Sequence, residues 1–285
     1  MKQAHDPIHI PESNEFINGL MSNITVDQLQ QVAHTELDTA WRSWLNNSSY
    51  NTVHALNQFD YSCFSAGTTP AFGEFISRFS TRRVRVSRSD FVLTRILSAT
   101  YNRSMLYLED AELDQNDCVI ISFPFSGNGS LYPGYNQLLD HADKLQVPVF
   151  IDGAYFGISH GIDYPLAHAC VTDFSVSLSK HLSGNCLRLG IRFTRNSVDD
   201  CISAGLIGNN LFDRLNSYVS IQLLNQFSHD WIIDKYKQSS NLICAQHNLV
   251  PTNTITIGLG GQEYITFKRG DYIRVCISEK LSKLS

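Results

Sequence analysis

The chain has 285 residues, of which 43% are hydrophobic and 17% charged, with a formal net charge of −5 at pH 7. That length allows one large domain and a smaller one around a real core, and the acidic balance argues against general binding of nucleic acid or anionic membrane. No apolar run is long enough to cross a bilayer, and the first residues carry no hydrophobic signal core. Seven cysteines are dispersed without CxxC pairs, several inside apolar strand patterns, so a cytoplasmic protein with buried thiols is expected.

Residues 1–24 read as an irregular, extended arm punctuated by Pro7 and Pro11. Thr25 and Gln28 make a capping-box pattern that starts a helix. Leu29, Ala33, Leu37, Ala40, Trp41 and Trp44 then recur on one face at helical spacing, as core residues do. Asn46, Asn47, Ser48 and Ser49 end that helix and mark a boundary. Residues 63–79 read as a turn followed by a helix, with Pro70 near the first helical position. Backbone N–H groups at that helix start, with the Thr68 and Thr69 hydroxyls, suit a phosphate at the positive end of the helix. Arg82, Arg83, Arg85 and Arg88 read as a solvated basic face, and residues 90–108 are ambiguous between helix and strand.

Residues 117–123 form an apolar strand, followed by the loop PFSGNGSLYPG and an amphipathic helix over 132–145. A second apolar run, 147–151, is closed by Asp152, with Tyr155 three positions on. A third, 174–178, is closed by Lys180, with Ser177 three positions before it and Arg188 eight after. The strand–helix–strand rhythm predicts an α/β fold with a largely parallel sheet and helices on both faces, and in such sheets ligands bind at the strand ends. Helices over 211–227 and 229–245 lead to short strands at 254–258, 264–268 and 272–278, which predict a small α+β domain. The division expected is a large domain over 46–212, with 1–45 and 213–285 forming the arm and the smaller part. His160, Asp163 and His168 read as loop residues rather than metal ligands, and no GxGxxG, Walker, GxSxG or HExxH motif is present.

A carboxylate, a phenol, a lysine, hydroxyls and an arginine at strand ends suit one cofactor type, an aldehyde with a pyridine ring and a phosphate: pyridoxal phosphate. A lysine amine forms a Schiff base with the aldehyde, an aspartate keeps the pyridine nitrogen protonated, a tyrosine hydrogen-bonds the phenolic oxygen, and arginine and serine donors suit the phosphate. The sequence resembles the fold-type I pyridoxal phosphate enzymes of the aspartate aminotransferase-like group: D-x-x-Y is met by Asp152 and Tyr155, and S-x-S-K followed by R-x-G by Ser177, Ser179, Lys180, Arg188 and Gly190. Family members are usually longer.

The resemblance implies further roles. Gly67, Thr68 and Thr69 become the phosphate cup, Tyr101 the aromatic residue stacked on the ring, and Arg274 the arginine for the substrate carboxylate. Ser126 or Asn128 stands where the family carries an asparagine-proline motif. It also implies an amino-acid substrate, a homodimer, and transamination through Lys180, with elimination, decarboxylation or cyclisation as the alternative and a non-catalytic relative as the third reading.

Overall fold

The apolar strand expected near residue 120 is an inner strand of a seven-stranded sheet in the computed structural model, which describes residues 6–182, 184–203 and 210–284. The first nine strands in chain order are β1 (Asn51–Val53), β2 (Tyr61–Ala66), β3 (Arg83–Val86), β4 (Met105–Tyr107), β5 (Asp117–Ser122), β6 (Val149–Gly153), β7 (Ile162–Tyr164), β8 (Val171–Ser177) and β9 (Leu189–Thr194). Strands β1 and β7 pair with each other, and the remaining seven lie in the order β2-β9-β8-β6-β5-β3-β4. Strand β9 runs antiparallel to both its neighbours, and every other pair in this sheet is parallel. A parallel sheet is covered on both faces, which is why β5, β6 and β9 are buried along their whole length.

Helices of the described residues include, in chain order, α1 (Pro11–Asn23), α2 (Val26–Gln31), α3 (His34–Asn46), α4 (Thr69–Arg78), α5 (Val92–Thr100), α6 (Tyr135–Leu145), the short α7 (Gly184–Leu187), α8 (Arg214–Gln226), α9 (Trp231–Gln246) and the short α10 (Ser278–Ser282). Alternation along β5 divides the core. Cys118 and Ile120 face Phe72, Phe75 and Ile76 of α4, while Val119 and Ile121 join the larger core that holds Trp41, Trp44 and Leu223. A four-stranded antiparallel sheet follows, β10 (Val250–Pro251), β11 (Ile257–Leu259), β12 (Lys268–Arg269) and β13 (Tyr272–Cys276), in the order β10-β11-β13-β12.

Four expectations are corrected. The arm is not extended throughout: Pro11 sits at the first position of α1, whose Ile17 is buried, and Phe16 packs edge-on against Phe227. Ile8 and Ile10 are also buried, and the Ile8 N–H donates to the Lys180 carbonyl at 3.1 Å, so the arm packs on its own chain. The Thr25–Gln28 capping box forms, but it opens only α2; extended backbone at Val32 and Ala33 separates α2 from α3. The arginine run is solvated only in part: Arg88 is exposed, but Arg83 and Arg85 turn to a buried carboxylate. Arg83 Nε lies 2.7 Å from Asp117 Oδ1, and Arg85, fully buried, lies 2.5 Å from Asp117 Oδ2, which ties β3 to β5. Finally, residues 264–267 belong to a 3-10 helix, Gln262–Phe267, pinned by the Tyr264 hydroxyl on the His247 carbonyl at 2.8 Å, and only β12 pairs with that edge of β13.

Candidate active site

Because β2, β3, β5, β6 and β8 run in one direction, their C-terminal ends open on a single edge of the sheet, beside the start of β9. A pocket lies there, lined by Thr68, Thr69, Phe91, Ser126, Asp152, Ala154, Tyr155, Ser177, Ser179, Lys180 and Arg188. Residues spread over 120 positions of sequence thus meet where their strands stop.

One end is built for an anion. Ser65 and Gly67 close a tight turn after β2, with Gly67 N–H on the Ser65 carbonyl and Ser65 Oγ on the Gly67 carbonyl. Gly67 has φ +80°, and a Cβ there would collide with Arg188 Nη2 while standing 3.4 Å from Ser179 Oγ. Only glycine therefore lets the turn and the guanidinium share this corner. The turn delivers Thr68 and Thr69 to the N-terminus of α4, where backbone N–H groups lack intrahelical partners. Ser177 Oγ and Ser179 Oγ are buried and, among the described residues, have no hydrogen-bond partner. Gly190 explains the R-x-G spacing: a Cβ there would lie 2.9 Å from the Val176 carbonyl and 3.1 Å from Gly67 Cα.

The other end holds a carboxylate. Asp152, near the end of β6, is 4% exposed, and its Oδ1 accepts the Ala154 N–H at 3.0 Å. Burial, then the negative charge of Asp90, pushes its carboxyl up from 3.8 to about 7, against the pull of the Ala154 N–H, the Thr68 hydroxyl and Lys180. Between the two ends stands Lys180, three residues beyond β8, with Nζ 5.5 Å from the centroid of the Tyr155 ring. A basic amine, an aromatic ring, an acid that can hold a proton and an anion cradle thus surround one cavity.

Two of the expected residues lie elsewhere. Tyr101 follows α5, is 45% exposed and packs its hydroxyl on Gly73 rather than lining the pocket. The aromatic side chain that does line it is Phe91, at the opposite end of the same helix. Nine helical residues carry Tyr101 roughly 14 Å away from the strand ends. Arg274 lies behind the wall. It is 2% exposed, its Nη1 donates to the Ser126 carbonyl at 2.6 Å and approaches the Tyr155 hydroxyl at 3.5 Å, and its Nε has no partner among the described residues. Asn128 instead braces its own loop, bonding the Leu131 carbonyl and the Ser130 N–H. Phe91 and its neighbour Asp90 were missed because the arginines of β3 hid a strand whose end they follow. His168 and Asp163 are engaged by Asp143 and His54 at 2.7 and 3.2 Å.

No family model and no curated protein matches the chain. Solved structures do. Cystalysin from Treponema denticola, which contains a pyridoxal 5'-phosphate cofactor, is similar over 98% of this chain and 88% of its own, with TM-score 0.71 and 11% identity. An aminotransferase from Staphylococcus aureus is similar over 100% and 91%, with TM-score 0.69 and 12% identity. The histidinol-phosphate aminotransferase of Clostridium acetobutylicum is similar over 98% and 94%, with TM-score 0.63 and 15% identity. At these identities the likeness establishes the fold: the chain has the α/β architecture of these enzymes over nearly their whole length.

Proposed function

We propose that the chain is a pyridoxal phosphate-dependent enzyme that acts on an amino acid, and that its reaction is transamination. The observation that carries the reading is Lys180 standing between the buried carboxyl of Asp152 and the cradle of Gly67, Ser177, Ser179 and Arg188. The cofactor fits this donor set. Two buried hydroxyls without partners, a guanidinium and a helix N-terminus call for an acceptor-rich group such as a phosphate. A buried carboxyl that titrates near neutrality suits a partner that shares its proton, as a pyridine nitrogen does.

When bound, pyridoxal phosphate supplies an aldehyde that captures amines and a protonated ring that draws electrons from the substrate's Cα. The protein's part follows from its residues. Lys180 would hold the cofactor through its amine, and the same amine would move the proton at Cα. Asp152 keeps the ring nitrogen protonated. Tyr155 and Ser126 would hold the ring oxygen, and Phe91 gives the pocket an apolar wall in the place expected of Tyr101. Arg188, Ser177, Ser179, Thr68 and Thr69 would anchor the phosphate, while Arg274, buried behind the wall, braces the Ser126 carbonyl and would act on the substrate only through that wall. Residues 46–212 act as the cofactor-binding domain, with 1–45 and 213–285 as the smaller part, and the active form is a homodimer.

The likeness to a C-S lyase from Staphylococcus hominis, with TM-score 0.68 and 13% identity, keeps elimination as the second reading. The test is an absorption spectrum of the purified protein with a panel of amino acids. Transamination expects an amino donor to convert the bound cofactor to its amine form and a keto acid to restore it. Release of ammonia or carbon dioxide without that interconversion supports the second reading. Borohydride reduction and peptide mass analysis should find the cofactor on the Lys180 peptide; colourless protein that takes up no cofactor would refute both readings.

A further inference from the structure

Asp90 is 5% exposed and joins four segments of the chain. Its Oδ1 accepts from Ser122 Oγ at 2.5 Å, Ser126 Oγ at 2.7 Å and the Phe91 N–H at 2.7 Å. Its Oδ2 accepts the Ser122 N–H at 2.9 Å, and its carbonyl accepts from Arg269 Nη2 at 2.5 Å. The turn behind it is tight: the Asp271 N–H donates to Ser89 Oγ, and a Cβ on Gly270 would strike the same oxygen.

Two consequences reach the pocket. A carboxylate only accepts hydrogen bonds, so the hydroxyl protons of Ser122 and Ser126 both point to Asp90. Ser126, which lines the pocket, then has only lone pairs left to offer. The second consequence is electrostatic. Ser122 is the register partner of Asp152 across β5 and β6, so Asp90, Ser122 and Asp152 lie in sequence through the wall. The negative charge of Asp90 is the largest influence after burial on the carboxyl of Asp152. The other charged or titratable groups around the pair are Lys180 and Tyr164 on the Asp152 side, and Tyr132 and Arg269, with Arg274, Tyr155 and Arg95 near the latter, on the Asp90 side. Arg269 reaches the Asp90 carbonyl rather than its carboxylate.

We propose that Asp90 is a positioning residue of this site: it fixes Ser126 as a hydrogen-bond acceptor, and it adds its negative potential to that of Asp152 so that a pyridine nitrogen held there stays protonated to higher pH. The inference rests on the pyridoxal phosphate reading above. Asp90 touches no ligand atom itself and acts through Ser126 and Asp152.

The experiment follows the ¹⁵N chemical shift of ring-labelled pyridoxal phosphate bound to the wild type and to Asp90→Asn as pH is raised. The ring nitrogen of Asp90→Asn should lose its proton about one pH unit lower, a roughly tenfold loss of proton affinity. Identical titrations in a wild type that binds the cofactor overturn the role of Asp90 alone. A wild type that binds none overturns the cofactor reading and this inference together. A second measurement needs no variant. With ¹³Cγ-labelled aspartate, wild-type Asp90 should give the signal of an ionised carboxylate at neutral pH, and a protonated Asp90 overturns the proposal even where Asp90→Asn fails to fold.

Discussion

Gly67→Ala tests the anion cradle at its tightest point. Two effects separate. The first is backbone strain: at φ +80° a Cβ costs about 1–2 kcal/mol relative to glycine, which for a chain of this size lowers Tm by roughly 2–8 °C. The second is local. The new Cβ occupies the place of Arg188 Nη2 and stands 3.0 Å from Cζ, so the guanidinium must leave its corner. Losing one charge-assisted contact to a phosphate is worth about 1.5–3 kcal/mol, which corresponds to roughly 10- to 160-fold weaker binding. Gly134→Ala is the control. Gly134 has φ +72°, but its nearest neighbour to an added Cβ is Gln137 Oε1 at 3.6 Å, so it suffers the strain without the collision. Cofactor affinity, read by fluorescence titration beside a thermal melt, should fall in Gly67→Ala and hold in Gly134→Ala. Equal affinity in Gly67→Ala and wild type would refute the assignment of Arg188 to the phosphate.

Asp152→Asn should retain bound cofactor yet lose most turnover, because a ring nitrogen without its proton is a poor electron sink; near-normal turnover would remove Asp152 from this role. The same variant carries a pH signature in the ligand-free protein. The wild-type carboxyl is raised from 3.8 to about 7, so between those values the folded state keeps a proton that the unfolded chain has released, and stability falls as pH rises through that window. The Tm of Asp152→Asn relative to wild type should therefore climb from about pH 4 to about pH 7 and level off above; a gap independent of pH contradicts the burial argument. Arg274→Ala should lower Tm, since the buried guanidinium holds the Ser126 carbonyl, and should change substrate kinetics only through the displaced Ser126 and Tyr155. Substrate kinetics unchanged in Arg274→Ala would make that arginine purely structural. Asp117→Ala should cost about 3–5 kcal/mol by leaving Arg85 buried without its carboxylate, and a melt within a degree or two of wild type would show that the pair contributes little.

Light scattering should show a dimer. The exposed Val92 and Ile96 of α5, beside Phe91 at the pocket, are the first places to substitute if it does. A stable, active monomer would end that expectation.

What could be read from residues alone was whatever repeats locally. The runs that became β5 and β6 are apolar at consecutive positions because both their faces are buried, and β8 alternates Phe174 and Val176 with buried serines. Asp152, Tyr155, Ser177, Lys180 and Arg188 stand at fixed distances from those runs, so the strand ends, and with them much of the pocket, were visible in the order of the letters. Other features depended on partners distant in the chain. Arg83 and Arg85 look like surface charge until Asp117, more than thirty positions on, is placed opposite them. With β3 hidden in that way, Asp90 and Phe91 could not be seen as residues at a strand end, and the aromatic role passed to Tyr101. The arm before α2 reads as extended because its partners, the Lys180 carbonyl for Ile8 and the Phe227 ring for Phe16, lie far along the chain. Sequence by itself determined the periodic strands and the chemistry at their ends, because each of those signals lies within a few residues. Tertiary structure alone decided which charges are buried, which aromatic residue meets the pocket and what stands behind Asp152, because those outcomes depend on contacts that no local pattern encodes.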